Sequence, residues 1–232
     1  RAELTLQLNI INTLVSFGVK SPLPVQRKDG SLISNILSPE GLRFAVLYEY
    51  AQGDELKHDN EQHTFLYGVG LANIHGCDLS KERCNGYPSI NLAHVVRQAG
   101  ESISKALAYK TEHCDKLKRV VDSLYRKLKS LPADQLEYGF CHGDLHGGNA
   151  SLNGGEFNFF DFDLSGFGWL AYDFSVFRWG CLLTGNERPY ASFIKGYESI
   201  RALPTKGLEY SLLFVAIREV WVIGLYVQQA EW

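Results

Sequence analysis

A chain of 232 residues, 45% hydrophobic and 21% charged, has a globular composition and the length of one large domain or two small ones. Its net charge of −3 lacks the basic footprint of a nucleic-acid binder, so no nucleic-acid partner is expected. The most apolar run, LLFVAIREVWVIGLYV, is interrupted by Arg218 and Glu219 and reads as a core helix, so no membrane partner is expected.

Five cysteines, at 77, 84, 114, 141 and 181, form no C-x-x-C pair, which suits free thiols in a reducing, cytoplasmic setting. Cys77 and Cys84 lack the second pair that a zinc site would want. The opening RAELTLQLNI has no basic-then-apolar leader pattern, and no methionine occurs anywhere.

In chain order, Leu4, Leu8, Ile11 and Val15 predict a helix over 3–17, with Gly18 as its cap. PLPVQRKDGSLISNIL predicts two short strands turning at Asp29-Gly30. An apolar strand through Phe44, Val46 and Leu47 follows. After Gly53 a helix is expected over 60–75, with Phe65, Val69, Ala72 and Ile74 on its apolar face and Gly76 stopping it. Residues 77–100, with Gly86, Pro88 and Gly100, read as a looser segment before a long helix over 101–130. Further helices are expected near 172–183, 189–200 and 207–229. The expected division is a β-rich part over 1–50 and a helical part over 51–232.

The chemistry concentrates in FCHGDLHGGNASLNGGEFNFFDFDLSGFG, residues 140–168. Glycines 143, 147 and 148 make its first part a loop, since each would cost about 1 kcal/mol in a helix. EFNFFDFD alternates, which predicts Phe157, Phe159, Asp161 and Asp163 on one face of a strand. Two carboxylates on one aromatic face call for a cation.

Asp144 and Asn149 are separated by four residues, and Asp161 follows Asn149 by twelve. Kinase-type phosphoryl transfer uses parts in that order: an aspartate accepting the acceptor's hydroxyl proton, then an asparagine and a second aspartate on the metal. Asn149 and Asp161 offer the hard oxygens that Mg²⁺ prefers. The rival reading is a metal-dependent hydrolase, with His142 and His146 completed by Asp161 or Asp163. The loop glycines deny those histidines a shared helix face, and both are expected to hold the loop by hydrogen bonds.

HGDLHGGN, FFDFDLSGFGWLAYDF and LYEYAQGDEL together resemble the aminoglycoside phosphotransferase and choline kinase family over nearly the whole chain. The resemblance implies an α+β, bilobal protein-kinase-like fold, with a small β-rich N-terminal lobe, incomplete here, and a larger helical lobe. It implies ATP and Mg²⁺ as cofactors, and transfer of the γ-phosphoryl group to a small hydroxyl-bearing acceptor such as an aminoglycoside, choline, homoserine or a sugar. It assigns Asp144 as the catalytic base and Asn149 and Asp161 as the metal ligands. Glu49 and Tyr50 fall in the hinge that would meet adenine, and Glu3 matches the glutamate paired with a phosphate-binding lysine. Asp173 matches an aspartate that supports the loop.

The sequence departs from the family in two places. No glycine-rich loop or phosphate lysine precedes Glu3, and Lys20 and Lys28 follow the helix. Ser151 stands where an apolar residue usually lies under adenine. A cationic acceptor would need aromatic faces and carboxylates, which Trp169, Tyr172, Trp179 and Trp221 and the run Asp54, Glu55, Asp59 and Glu61 could supply, but the rings read first as core and the acidic run as a solvated loop and helix start. A pseudokinase or nucleotide-binding interaction module of the same fold is the non-enzymatic alternative.

Overall fold

A computed structural model describes residues 2–39, 41–79, 86–108 and 110–229, apart from the side chains of residues 3, 228 and 229. Cys84 lies outside them. The chain forms two compact units, each drawn from three segments. The first holds Arg1–Tyr87, His146–Leu164 and Arg188–Ala202; the second holds Pro88–Leu145, Ser165–Glu187 and Leu203–Trp232. These are not the stretches 1–50 and 51–232, because the helix after residue 60 packs with the first unit's own strands and a late helix.

In the first unit, helix α1 (Ala2–Ser16) buries Leu8, Ile10, Ile11 and Leu14. Strands β1 (Ile33–Ser38) and β2 (Gly41–Val46) form an antiparallel hairpin, with Ile33 opposite Val46. The expected turn at Asp29-Gly30 is present, since Arg27 N–H donates to the Ser31 carbonyl at 2.9 Å. Its leading arm pairs elsewhere, however: Glu49 N–H donates to Leu23 O and Val25 N–H to Leu47 O, at 2.9 and 2.8 Å. Pro22 and Pro24 explain the difference, because a segment missing two donors cannot sustain a full ladder.

A second sheet orders β3 (Asp54–Glu55), β5 (Ala150–Asn153) and β6 (Glu156–Phe159). β5 and β6 are joined by Gly154-Gly155, both at positive φ (61° and 87°), the backbone that a tight two-residue hairpin loop requires. Helix α2 (Glu61–Gly76) is capped by the Asn60 carboxamide, which accepts from Gln62 and His63 N–H. It packs on α6 (Arg188–Glu198) at glycine contacts. A Cβ at Gly68 would lie 2.0 Å from Phe193 O, and one at Gly196 would lie 1.9 Å from Phe65 O. Tyr67 is fully buried among Phe157, Phe159 and Phe193, with ring centres 5.0, 5.3 and 6.0 Å away.

The second unit is mainly helical. α3 (Leu92–Ala106) and α4 (Thr111–Lys129) replace the single helix expected over 101–130, and α3 begins within the stretch read as loose. Asn91 caps α3 by accepting His94 N–H at 3.0 Å. Strands β4 (Tyr138–Cys141) and β7 (Gly166–Trp169) pair antiparallel. Helix α5 (Ala171–Leu183), the short α7 (Thr205–Leu208) and the long α8 (Ser211–Gln229) complete the unit, with α8 packed on α3 and α5. No described helix is long and apolar enough to cross a membrane.

Candidate active site

In the first unit a cavity of about 360 Å³ is walled by Gln7 and Ile11 of α1, by Ser21 and Pro22, by Tyr48, Glu49 and Ala51, and by 160–163. Its size suits a small-molecule site. The predicted hinge and the predicted metal hairpin thus line one space, through Glu49 and Asp161. Tyr50 is not part of this wall and is 85% exposed. Glu3 belongs to α1, but its side chain lies outside the described residues.

The polarity of this wall is specific. Glu49 N–H is committed to Leu23 O, while among the described residues no partner is recorded for Glu49 O or Ala51 N–H. The Ser21 hydroxyl is buried without a hydrogen-bond partner, an orphan that a bound polar ligand would satisfy. The Tyr48 phenol is held above its usual range, first by burial and then by the charges of Asp163 and Asp161.

The strand expected to run through Asp163 stops at Phe159. Asp161 has φ 61°, the one described non-glycine residue with positive φ, and Phe162–Leu164 forms a 3-10 turn. Asp161 and Asp163 therefore do not share a strand face. The left-handed residue turns the chain out of the sheet and places Asp161 in the cavity wall. Asp163 accepts a hydrogen bond from the Gln7 carboxamide. Asn149 is buried at the end of the Gly147–Asn149 turn, and its carbonyl accepts Phe160 N–H at 3.0 Å. The hairpin therefore brings Asn149 level with the residue before Asp161.

Ser151 is tied to the chain after the predicted hinge, its hydroxyl donating to Gln52 O at 3.0 Å. His146 accepts Gly148 N–H at its Nδ1 (3.1 Å) and Tyr67 OH at its carbonyl (3.0 Å). Asp54, Glu55, Asp59 and Glu61 are all exposed.

The other half of the motif belongs to the second unit. Asp173, fully buried on α5, accepts His142 N–H at 2.7 Å and Gly143 N–H at 2.8 Å. His142 is buried too, and its Nδ1 lies 3.4 Å from Asp144 N. This carboxylate thus clamps the turn that presents Asp144. The Asp144 side chain pairs with Arg218 of α8, at 15% and 4% side-chain exposure respectively. Sequence reading missed this partner, because Arg218 looked only like a break in an apolar helix.

Each aromatic ring considered for a cation already packs against a neighbour. Trp169 stacks on Phe214 at 5.8 Å, Tyr172 meets the same ring edge-on, and Arg218 lies over Trp221 and Trp179.

A profile of the phosphotransferase enzyme family matches residues 1–209. The chain belongs to that family. It is similar to the homoserine kinase of Brucella melitensis, 28% identical over 100% of this chain and 69% of that one. In structure it is similar to a microcompartment-associated aminopropanol kinase, with TM-score 0.74 and 22% identity over 99% of this chain and 74% of the other. It is also similar to an amicoumacin kinase in complex with AMP-PNP, Ca²⁺ and Ami, with TM-score 0.71 and 22% identity over 98% and 71%. These kinases share the α+β, protein-kinase-like fold. The chain spans 64 to 69% of the length of the curated relatives it matches.

Proposed function

We infer that this member of the family transfers the γ-phosphoryl group of ATP to a hydroxyl of a small molecule, with Asp144 as the general base. The observation that carries the nucleotide half is the cavity shared by the 48–51 segment and Asp161. Glu49 O and Ala51 N–H offer an acceptor and a donor two residues apart, which suits the edge of adenine, and the orphaned Ser21 hydroxyl supplies a further polar contact.

Asn149 and Asp161 fit a divalent cation by donor chemistry, a carboxamide oxygen and a carboxylate. Such an ion, when bound, would neutralise charge that builds on the phosphoryl oxygens. The chain's own task is to hold the nucleotide, orient the hydroxyl and take its proton at the Asp144 carboxylate. The backbone clamp from Asp173 supports that role, because a base must be held at a fixed point to act.

The relatives named homoserine kinase and aminopropanol kinase make short amino-alcohols the first acceptors to offer. The thiols of Cys77, Cys114 and Cys141 are free, which suits a reducing, cytoplasmic site of action.

The test is ADP release by the full-length protein with Mg–ATP and each acceptor. Asp144→Asn should reduce turnover by roughly 100-fold or more while nucleotide binding persists; undiminished turnover would overturn the base assignment. A nucleotide-binding module without activity would instead bind Mg–ATP and release no ADP with any acceptor.

A further inference from the structure

We propose that Arg218 is a positioning residue for phosphoryl transfer, holding the Asp144 carboxylate in one orientation from its place beside two tryptophans. This rests on the reading of Asp144 as the base.

Two sets of contacts converge on the Asp144 turn. Asp173 fixes the backbone ahead of it through His142 and Gly143 N–H. Arg218 engages the side chain, with Nη2 donating to Oδ1. Its guanidinium carbon lies 4.4 Å from the Trp221 ring centre and 5.5 Å from that of Trp179. Trp221 stands three residues on in α8, and Trp179 is anchored by its indole N–H to Glu219 of the same helix. Two indoles therefore pack near the guanidinium that meets the carboxylate.

Stability alone is a poor account of this arrangement. A buried ion pair is a weak stabilising device, and an apolar residue often replaces one without loss. Nε and Nη1 of Arg218 are buried and make no close hydrogen bond, with the neutral Tyr172 phenol also set against the guanidinium, which adds to the unfavourable side. Apart from Glu219, which accepts the Trp179 indole N–H, the nearby α8 residues are apolar (Leu213, Phe214, Val215, Ile217, Val220). A charge maintained there at such cost is explained by what it does to Asp144. An aspartate rotates about two bonds, and a base displaced by about 1 Å loses on the order of 100-fold in rate. A planar guanidinium packed beside two indoles restricts that freedom.

The experiment compares wild type, Asp144→Asn, Arg218→Ala, Arg218→Lys and the Asp144→Asn/Arg218→Ala double variant of the full-length protein. ADP release is followed with Mg–ATP and homoserine, 1-amino-2-propanol or water as acceptor, alongside thermal unfolding. Arg218→Ala should lower kcat by roughly 100-fold with the KM for ATP within about twofold. Added guanidinium ion should restore part of that loss. Arg218→Lys, which keeps a charge without the planar fork, should retain its fold and lose about tenfold in kcat. In the double variant, removing Arg218 should add less than about threefold to the loss from Asp144→Asn, because it acts through that carboxylate. Wild-type kcat in either Arg218 variant, or an equal loss with and without Asp144, would overturn the positioning role. Full turnover in Asp144→Asn would overturn the base reading instead.

Discussion

Asp173 and His142 are joined by a buried charge-assisted hydrogen bond: the carboxylate takes the His142 backbone N–H at 2.7 Å, and its other oxygen takes Gly143 N–H at 2.8 Å. Asn at this position keeps the volume but turns one acceptor into a donor that faces an N–H. Bonds to charged groups contribute roughly 1.5–3 kcal/mol each. Asp173→Asn should therefore destabilise the protein by about 3 kcal/mol in urea titration. A midpoint equal to wild type would show that the turn stands without the charge.

Gly100 lies inside α3 under Val121 of α4, where an added Cβ would come within 2.7 Å of Val121 Cγ2. Alanine gains about 1 kcal/mol in helix propensity, while overpacking costs roughly 1–3 kcal/mol. Gly100→Ala should be net destabilising by about 1 kcal/mol. Gly100→Ala/Val121→Ala should relieve the clash, so the two changes will be non-additive by chemical denaturation.

Burial pushes the Tyr172 phenol up to about 12, with the Arg218 charge pulling the other way. An unfolded phenol titrates near ~10. Below that pH both states are protonated, and Tyr172 adds no pH dependence. Above it the unfolded chain loses a proton that the native state keeps, so stability falls by about 1.4 kcal/mol per pH unit until the native phenol ionises. Urea midpoints measured from pH 9 to 11 should therefore decline more steeply in wild type than in Tyr172→Phe. Parallel declines would contradict the burial of that hydroxyl.

The hinge reading makes Ala51 N–H a donor to the nucleotide. Ala51→Pro removes it and should weaken ATP binding by about tenfold, the worth of one hydrogen bond. Ala51→Gly keeps the donor and should bind within about threefold of wild type. Equal affinities for both variants, measured by calorimetry, would place the adenine contact elsewhere.

Asp161 occupies a left-handed backbone position that glycine adopts without strain. Asp161→Gly should be more stable than Asp161→Ala by about 1 kcal/mol, while both lose magnesium-dependent strengthening of nucleotide binding. Equal melting temperatures would show that no strain is stored there.

How far the sequence discloses this protein depends on the range of the interaction concerned. α1, α2, α5 and α6 were legible because their apolar spacing and terminal residues are local signals. Gly100 misled, since its reason is contact with Val121 on another helix. The segment with Pro22 and Pro24 misled too, because its pairing partner lies more than twenty residues on. Asp144, Asn149 and Asp161 were legible as a motif, yet the positive φ that ends the strand at Asp161 has no local sequence mark. Arg218 was invisible as a partner: it lies 74 residues from Asp144, and only the packing of α8 unites them.

The division of the chain has a consequence for synthesis. The polypeptide passes from one unit to the other after residues 87, 145, 164, 187 and 202, so neither unit is a continuous stretch. A ribosome must deliver residue 202 before the first unit has all its parts, and the final helix before the second has its own. No partial chain released earlier contains either unit whole. Until then Tyr67 and His75 of α2 lack Phe193 and Tyr197, the α6 rings they pack against, so the nascent protein depends on late closure, when exposed apolar helices are most prone to stray association.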